Sequence, residues 1–226
     1  MVTQVGTLRE SSLHAALKAR SARPGDRIEE PVDGYWIDIV RGEQLIEIQT
    51  GSFAALRPKL AHFLPGRPVR VVLPLVVDKH LVHMDGVDQR VVRRRRSPKR
   101  QREVDLFGEL VHVARHAASP GFSLELALVS VEELRCDDGR GSWRRRGVSI
   151  VDRRLIEVQQ RRLFSSPAEY LALIPDALPE PFTVADLAVG IGGPRRLAGQ
   201  MAYTLRHMGL VRAVGKRGNA LLYAIG

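Results

Sequence analysis

Cysteine is almost absent from this chain: Cys136 stands alone. That excludes an intrachain disulfide framework and any multi-cysteine zinc site, and it suits a reducing, cytoplasmic setting. Lysine is scarce as well. Lys18, Lys59, Lys79, Lys99 and Lys216 are all there are, so the 35 basic residues are mostly arginine. No apolar run is longer than a strand, and no stretch near the N-terminus reads as a signal peptide, so neither a membrane span nor a membrane partner is expected. Nucleotide-binding and hydrolase signatures are missing too: there is no Walker loop, no Gly-x-Ser-x-Gly and no dinucleotide fingerprint, and Val189 to Gly193 is explained as a turn between helices. His112 and His116 have helical spacing and His80 lies near His83, but no Glu is placed as in His-Glu-x-x-His, so solvated histidines are expected. Acidic residues fall well short of basic ones, 25 against 35, for a formal net charge of +10. Guanidinium forks match phosphate, and an excess of this size favours nucleic acid or an acidic surface as partner.

What the chain does have is concentrated in Tyr35 to Thr50. Both halves alternate as half-buried strands do, and Gly42-Glu43 suits a two-residue type II′ turn. That turn sets Val40 opposite Leu45, Ile39 opposite Ile46, Asp38 opposite Glu47 and Trp36 opposite Gln49. Asp38, Glu47 and Gln49 then share one face, and Ile37, Ile39, Ile46 and Ile48 the other. Opposed Cβ atoms lie roughly 4.5–5.5 Å apart, where like charges repel. A divalent cation would reverse the sign of that interaction.

Asp38 followed on the next strand by Glu47-x-Gln49 resembles the metal-site signature of the PD-(D/E)XK nuclease superfamily, with Gln49 where that superfamily usually has Lys. A helix carrying Glu10 precedes the hairpin. An amphipathic helix with Phe53, Leu56, Leu60 and Phe63, and then an apolar strand from Val69 to Val77, follow it. Helix, strands, helix, strand is the core order of the superfamily, and the resemblance covers about residues 7 to 83. It implies an α/β fold, a restriction-endonuclease-like mixed sheet flanked by helices, with Mg²⁺ or Mn²⁺ held by Asp38 and Glu47 and with Gln49 and Glu10 as further catalytic residues. In the family the Lys helps to position and activate the attacking water. A neutral amide hydrogen-bonds but supplies no charge; Lys59, one turn along the next helix, is a candidate for supplying it from a displaced position. Glu10 has two readings. It completes a capping box with Thr7, and it also lies on the face of Leu13 and Leu17 toward the core.

The positive charge gathers in two runs, Arg93-Arg94-Arg95-Arg96-Ser97-Pro98-Lys99-Arg100-Gln101-Arg102 and Arg144 to Arg146. Ser97-Pro98 reads as N-cap and N1 of a helix running to about Ala118, with Leu106, Leu110, Val113 and Ala117 as its apolar stripe. Cations at that helix N-terminus oppose the dipole by roughly 0.3–1 kcal/mol each, and a phosphate backbone would compensate them. Arg93, Arg94, Arg95, Arg96, Lys99 and Arg100 are therefore nucleic-acid-binding candidates; Arg144 to Arg146 follow a flexible loop and read as solvated. Phe122 to Val131 reads as a strand. Leu155 to Gln159 echoes the Glu-x-Gln motif without a paired acid, so no second site is expected.

Two domains are expected, residues 1–164 with the nuclease-like site and residues 165–226. In the second, Ser166-Pro167 starts a short helix and a Pro-rich linker follows. Thr183 caps a helix through Leu187, and Gly192-Gly193-Pro194 leads into a helix over 194–208 with Leu197, Met201, Leu205 and Met208 on one face. Gly209 ends that helix, and two strands, Leu210 to Val214 and Ala220 to Ala224, are joined by a basic tip. This order resembles a winged-helix domain. The resemblance implies that Arg195, Arg196, Gln200, Tyr203 and Thr204 face the major groove while Lys216 and Arg217 ride on the wing against phosphates.

The expected function is metal-dependent phosphodiester hydrolysis on nucleic acid, most simply DNA. The alternative is an inactive nuclease fold serving as a DNA-binding regulator or assembly factor. Oligomeric state is left open, a homodimer included.

Overall fold

Alternating apolar residues from Val32 to Val82 build the centre of a seven-stranded mixed sheet. The computed structural model describes residues 11–85, 90–143 and 146–226. Helix α1 (Ser12–Ser21) is capped by the Ser11 side chain, which accepts from the His14 N–H. Strands β1 (Arg27–Val32), β2 (Tyr35–Arg41) and β3 (Gln44–Ile48) follow as an antiparallel meander. Helix α2 (Arg57–Phe63) then crosses over to β4 (Val69–Met84), which runs parallel to β3. Strand β5 (Val91–Arg96) returns along the far half of β4. Strand β6 (Phe122–Asp137) is parallel to β4, and β7 (Val148–Phe164) is antiparallel to β6 at the edge. The spatial order is β1-β2-β3-β4-β6-β7, with β5 also on β4. The mixed α/β sheet flanked by helices is the coarse part of the fold class expected, and among the described residues no helix is long and apolar enough to cross a membrane.

The hairpin turn is as expected at its tip. Gly42 has a φ of 55°, and Arg41 pairs with Gln44, Val40 with Leu45 and Ile39 with Ile46. Pro74 sits inside β4, a position that normally rejects proline because its nitrogen cannot donate. Here the adjoining residues of the same parity explain it. The Val72 carbonyl accepts from Gln49, and Val76 exchanges hydrogen bonds with the backbone and side chain of Gln101, so the Pro74 nitrogen faces the gap between β3 and β5. That gap adjoins the end of β3.

The sheet separates two buried clusters. Leu13 and Leu17 of α1 cover Ile39, Ile46, Ile48, Val72, Ala127, Val129 and Val131. The opposite face carries Val40, Leu45, Phe53, Leu56, Leu60 and Phe63, and it runs without a break into Leu187, Leu197, Met201 and Tyr223. Ile37 belongs to this second cluster rather than lying beside Ile39, which corrects the single isoleucine face expected from alternation. Phe164 stacks on Tyr170 at 4.6 Å, with Phe107 at 6.3 Å from the same ring, so the two halves of the chain share one core. Tyr170→Ala is therefore expected to cost about 3–5 kcal/mol, and urea unfolding followed by fluorescence should show the loss in a single transition. An unchanged midpoint would mean that the halves are not joined through this ring.

The helix expected from Ser97 to Ala118 is not formed. Residues 97–102 are non-helical, and a 3₁₀ turn at Glu103–Leu106 leads into the one-turn helix α3 (Phe107–Leu110), followed by further 3₁₀ turns at Val111–Val113 and His116–Ala118. Gln101 is held to the edge of β4 by its backbone and side chain, and Asp105 accepts from the Arg102 N–H, so the helical segment starts with acids in its first turn. The C-terminal elements are a 3₁₀ segment Pro167–Leu173, a single bridge between Phe182 and Tyr223, helix α4 (Val184–Gly190), helix α5 (Arg195–His207), and the hairpin β8 (Val211–Arg217) and β9 (Ala220–Ile225). Thr183 and Asp186 form a capping box on α4, and Leu197, Met201, Leu205 and Met208 are buried as expected. Gly209 leaves α5 with a φ of 76°. Pairing extends to Arg217 with Ala220, so the tip of this hairpin is tighter than the loop expected.

Candidate active site

Asp38 sits where the β2–β3 ladder opens. In a two-residue hairpin the hydrogen-bonded pairs alternate, and the next one after Ile39 with Ile46 would join Ile37 and Ile48. Instead the Ile48 N–H donates to Asp38 Oδ2 at 2.7 Å, and the carboxylate takes the place of a strand carbonyl. This local opening releases Ile37 to the other core. The ladder ends at Ile39 with Ile46, so the expected pairings of Asp38 with Glu47 and of Trp36 with Gln49 are not formed, and the Gln49 N–H donates to Val72 of β4.

Asp38 Oδ1 lies 3.1 Å from His14 Nε2 on α1. Burial pushes the Asp38 carboxyl up, but the His14 hydrogen bond and charge, the Ile48 N–H and the charge of Lys18 outweigh it, and the group is held below its ordinary value. Glu47 behaves in the opposite way. Its side chain is only 7% exposed, and Lys59 Nζ donates to both of its oxygens at 2.8 Å and to the Trp36 carbonyl at 2.6 Å. Burial still dominates: with Asp38 adding to it, and Lys59 and His14 opposing, the Glu47 carboxyl is pushed up to about 7. The two carboxyls are thus driven apart in acidity, Asp38 downward by its hydrogen bonds and Glu47 upward by burial.

Lys59 thus occupies the displaced position read from the sequence. Gln49 does not join the carboxylates; its amide donates to the Ser52 carbonyl at 2.9 Å. Glu10 lies outside the described residues, as do Arg144 and Arg145. His14, which the sequence reading missed, is brought in by α1 packing; the one signal for it was its place beside Leu13 on the helix preceding the hairpin. Among the described residues no group of three His, Cys, Asp or Glu converges as a metal cage.

The basic candidates divide by partner. Arg93, Arg94, Arg95 and Arg96 form β5 and are exposed, so the first run is a strand and not a loop leading into a helix. Lys99 and Arg100 are exposed in the segment after it. Arg102 is tied to the chain itself: its guanidinium donates to the Ile191 and Gly192 carbonyls at 2.7 and 3.3 Å and holds the end of α4. On α5, Arg195, Arg196 and Tyr203 are exposed and Gln200 is half-buried. Thr204 is buried, its hydroxyl donating to the Gln200 carbonyl at 2.8 Å, which corrects its expected place on the exposed face. Lys216 and Arg217 are exposed on β8, with Arg217 3.9 Å from Asp186. Glu157 and Gln159 of the second Glu-x-Gln lie exposed on β7, where Gln159 donates to Ser130.

Residues 11–165 match a domain of unknown function, DUF8091. An uncharacterized protein of Treponema pallidum (strain Nichols) is 31% identical over 221 residues, which cover 97% of this chain and 86% of that protein. No solved structure matches. The chain belongs to the DUF8091 family, whose match spans the sheet, while the similarity to the Treponema protein extends over the C-terminal elements as well.

Proposed function

We propose that this DUF8091 chain is a metal-dependent nucleic-acid phosphodiesterase acting on DNA, with a restriction-endonuclease-like sheet carrying the site and a C-terminal winged helix holding the substrate. The observation that carries the reading is the seat of Lys59 on Glu47 beside Asp38. It supplies, from α2, the cation that Gln49 does not. The donor set suits Mg²⁺ or Mn²⁺: both groups are hard carboxylates fixed by hydrogen bonds. Such an ion, held by Asp38 and Glu47, would stabilise charge developing on the scissile phosphate and acidify the attacking water. The chain's own groups prepare for this. His14 and the Ile48 N–H fix the Asp38 carboxylate, and Lys59 keeps Glu47 oriented and favours its charged form.

One observation favours the second reading, an inactive DNA-binding regulator or assembly factor: both Glu47 oxygens are already bonded by Lys59 and the Gln49 amide is turned to Ser52. Incubating plasmid, single-stranded and branched DNA with Mg²⁺, Mn²⁺ or chelator separates the two. Cleavage abolished by chelator supports the enzyme; intact DNA under every condition supports the regulator.

The winged-helix reading is supported by the order 3₁₀ segment, bridge, α4, α5, hairpin, and by exposed bases on α5 and β8. Replacing Arg195, Arg196, Lys216 and Arg217 together by Ala is expected to weaken duplex binding by the full chain. The log–log salt dependence should become shallower by roughly one unit per lost phosphate contact. Unchanged affinity and slope would place the DNA contact elsewhere.

A further inference from the structure

Past the end of β3, the strands β4 to β7 continue as an extension; from Asp78 to Met84 it runs roughly 20 Å at about 3.3 Å per residue. Residues paired across neighbouring strands place their side chains on the same face. The registers therefore define rows. Arg95, Leu81, Glu133 and Arg153 form one row, and Arg93, His83 and Arg135 the next, on the face that carries α1 nearer the site. The opposite face holds Arg96, His80, Glu132 and Arg154 in one row and Arg94, Val82 and Leu134 in the other.

The two faces differ in how their charge is balanced. Arg94 pairs with Glu132 at 2.6 Å, Arg96 with Asp78 at 2.7 Å and Arg154 with Asp152 at 3.8 Å, so the second face is neutralised pair by pair. On the first face Lys79, Arg135 and Arg153 all converge on one buried acid, Glu133, at 3.5, 2.6 and 3.1 Å. Burial opposes the charged form of Glu133, yet the Arg135 hydrogen bond and the charges of Lys79, Arg153 and Arg135 hold its carboxyl below the ordinary value. Neither Arg93 nor Arg95 has an ion-pair partner among the described residues. His83 between them is held below the usual histidine value by burial and by Arg135, Arg95 and Arg93, with Asp137 opposing. The first turn of α1 touches both β2 and β7: His14 reaches Asp38, and Ser12 Oγ donates to Asp152 at 2.5 Å.

We propose that the face bearing Arg93, Arg95, Arg135 and Lys79 is a track that binds the phosphate backbone of the nucleic acid, and that Arg94 and Arg96 belong to a paired, non-binding face. The run of arginines is thereby divided by the two-residue period of the strand. This inference rests on the nucleic-acid reading above. It concerns backbone contact and not base readout, because guanidinium groups spaced along a strand meet phosphates whatever the sequence.

The test uses the full chain, a short duplex DNA, and affinity measured over a range of salt. Arg93→Ala with Arg95→Ala is expected to weaken binding at least about tenfold at low salt and to make the log–log slope shallower by about two units. Arg94→Ala with Arg96→Ala should leave the slope unchanged. Both variants remove two arginines from one strand, and the second also breaks ion pairs, so a fold-level effect would fall on the wrong variant. Equal losses in the two variants, or a larger loss in the second, would overturn the track while leaving DNA binding intact. A wild-type protein that binds no duplex would remove both the nucleic-acid reading and the track.

Discussion

Asp38→Asn and Glu47→Gln are each expected to lower divalent-ion-dependent DNA cleavage by at least about 10²-fold, the scale of losing an ion ligand or its charge stabilisation. Both substitutions keep the side-chain volume. Asn retains an oxygen able to accept from the Ile48 N–H, and Gln retains one able to accept from Lys59, so the hairpin should survive. What is lost is negative charge at a point already bonded by His14 on one side and Lys59 on the other. Mn²⁺-induced thermal stabilisation should disappear in the same variants, which ties loss of activity to loss of the ion. Lys59→Met should also lower activity, since Glu47 would then be buried with no ammonium in contact. Wild-type levels of cleavage in either carboxylate variant would place the chemistry at another site.

The second large effect is on stability, and its direction follows from Glu47. Its carboxyl is pushed up from 4.5 to about 7 in the folded chain. Between those values the unfolded chain has released the proton while the folded chain retains it, so stability falls as pH rises through this window. A shift of this size corresponds to roughly 3 kcal/mol once pH exceeds the folded value. Glu47→Gln carries no such proton. Measured without divalent ions, the wild type should lose about that much stability relative to Glu47→Gln between pH 4.5 and pH 8. Parallel stability curves for the two proteins would show that Glu47 is ionised without cost. Asp38, held below its ordinary value, works in the other direction: its contribution is present above the unfolded value and is lost as pH falls through the folded one. The site thus sets one carboxylate that favours folding against one that opposes it.

Much of the architecture was legible because it is local. The Gly42 turn, the pairing of Ile39 with Ile46, the apolar stripe Phe53, Leu56, Leu60 and Phe63, the Thr183 cap and the buried face of α5 follow from periods of two and 3.6 and from turn chemistry. Local signals failed where a distant segment offered a better hydrogen bond. Ser97-Pro98 has the form of a helix start, but the Ser97 N–H goes to Lys79 and Gln101 goes to Val76, and both contacts come from β4. Ile37 has the alternation of a regular strand, but Asp38 takes the Ile48 N–H and the ladder opens.

Local pattern was enough for most of the strands and helices, for the presence of Asp38 and Glu47 on adjoining strands of one hairpin, and for a surface with an excess of arginine. Tertiary structure alone decided the partners: Lys59 for Glu47, His14 for Asp38, the end of α4 for Arg102, and acids for Arg94 and Arg96 but not for Arg93 and Arg95. The reason is physical. Periodicity and turn preferences act within a few residues of chain, whereas Coulomb interactions and hydrogen bonds depend on distance in space and on burial, and those exist only once the sheet has formed.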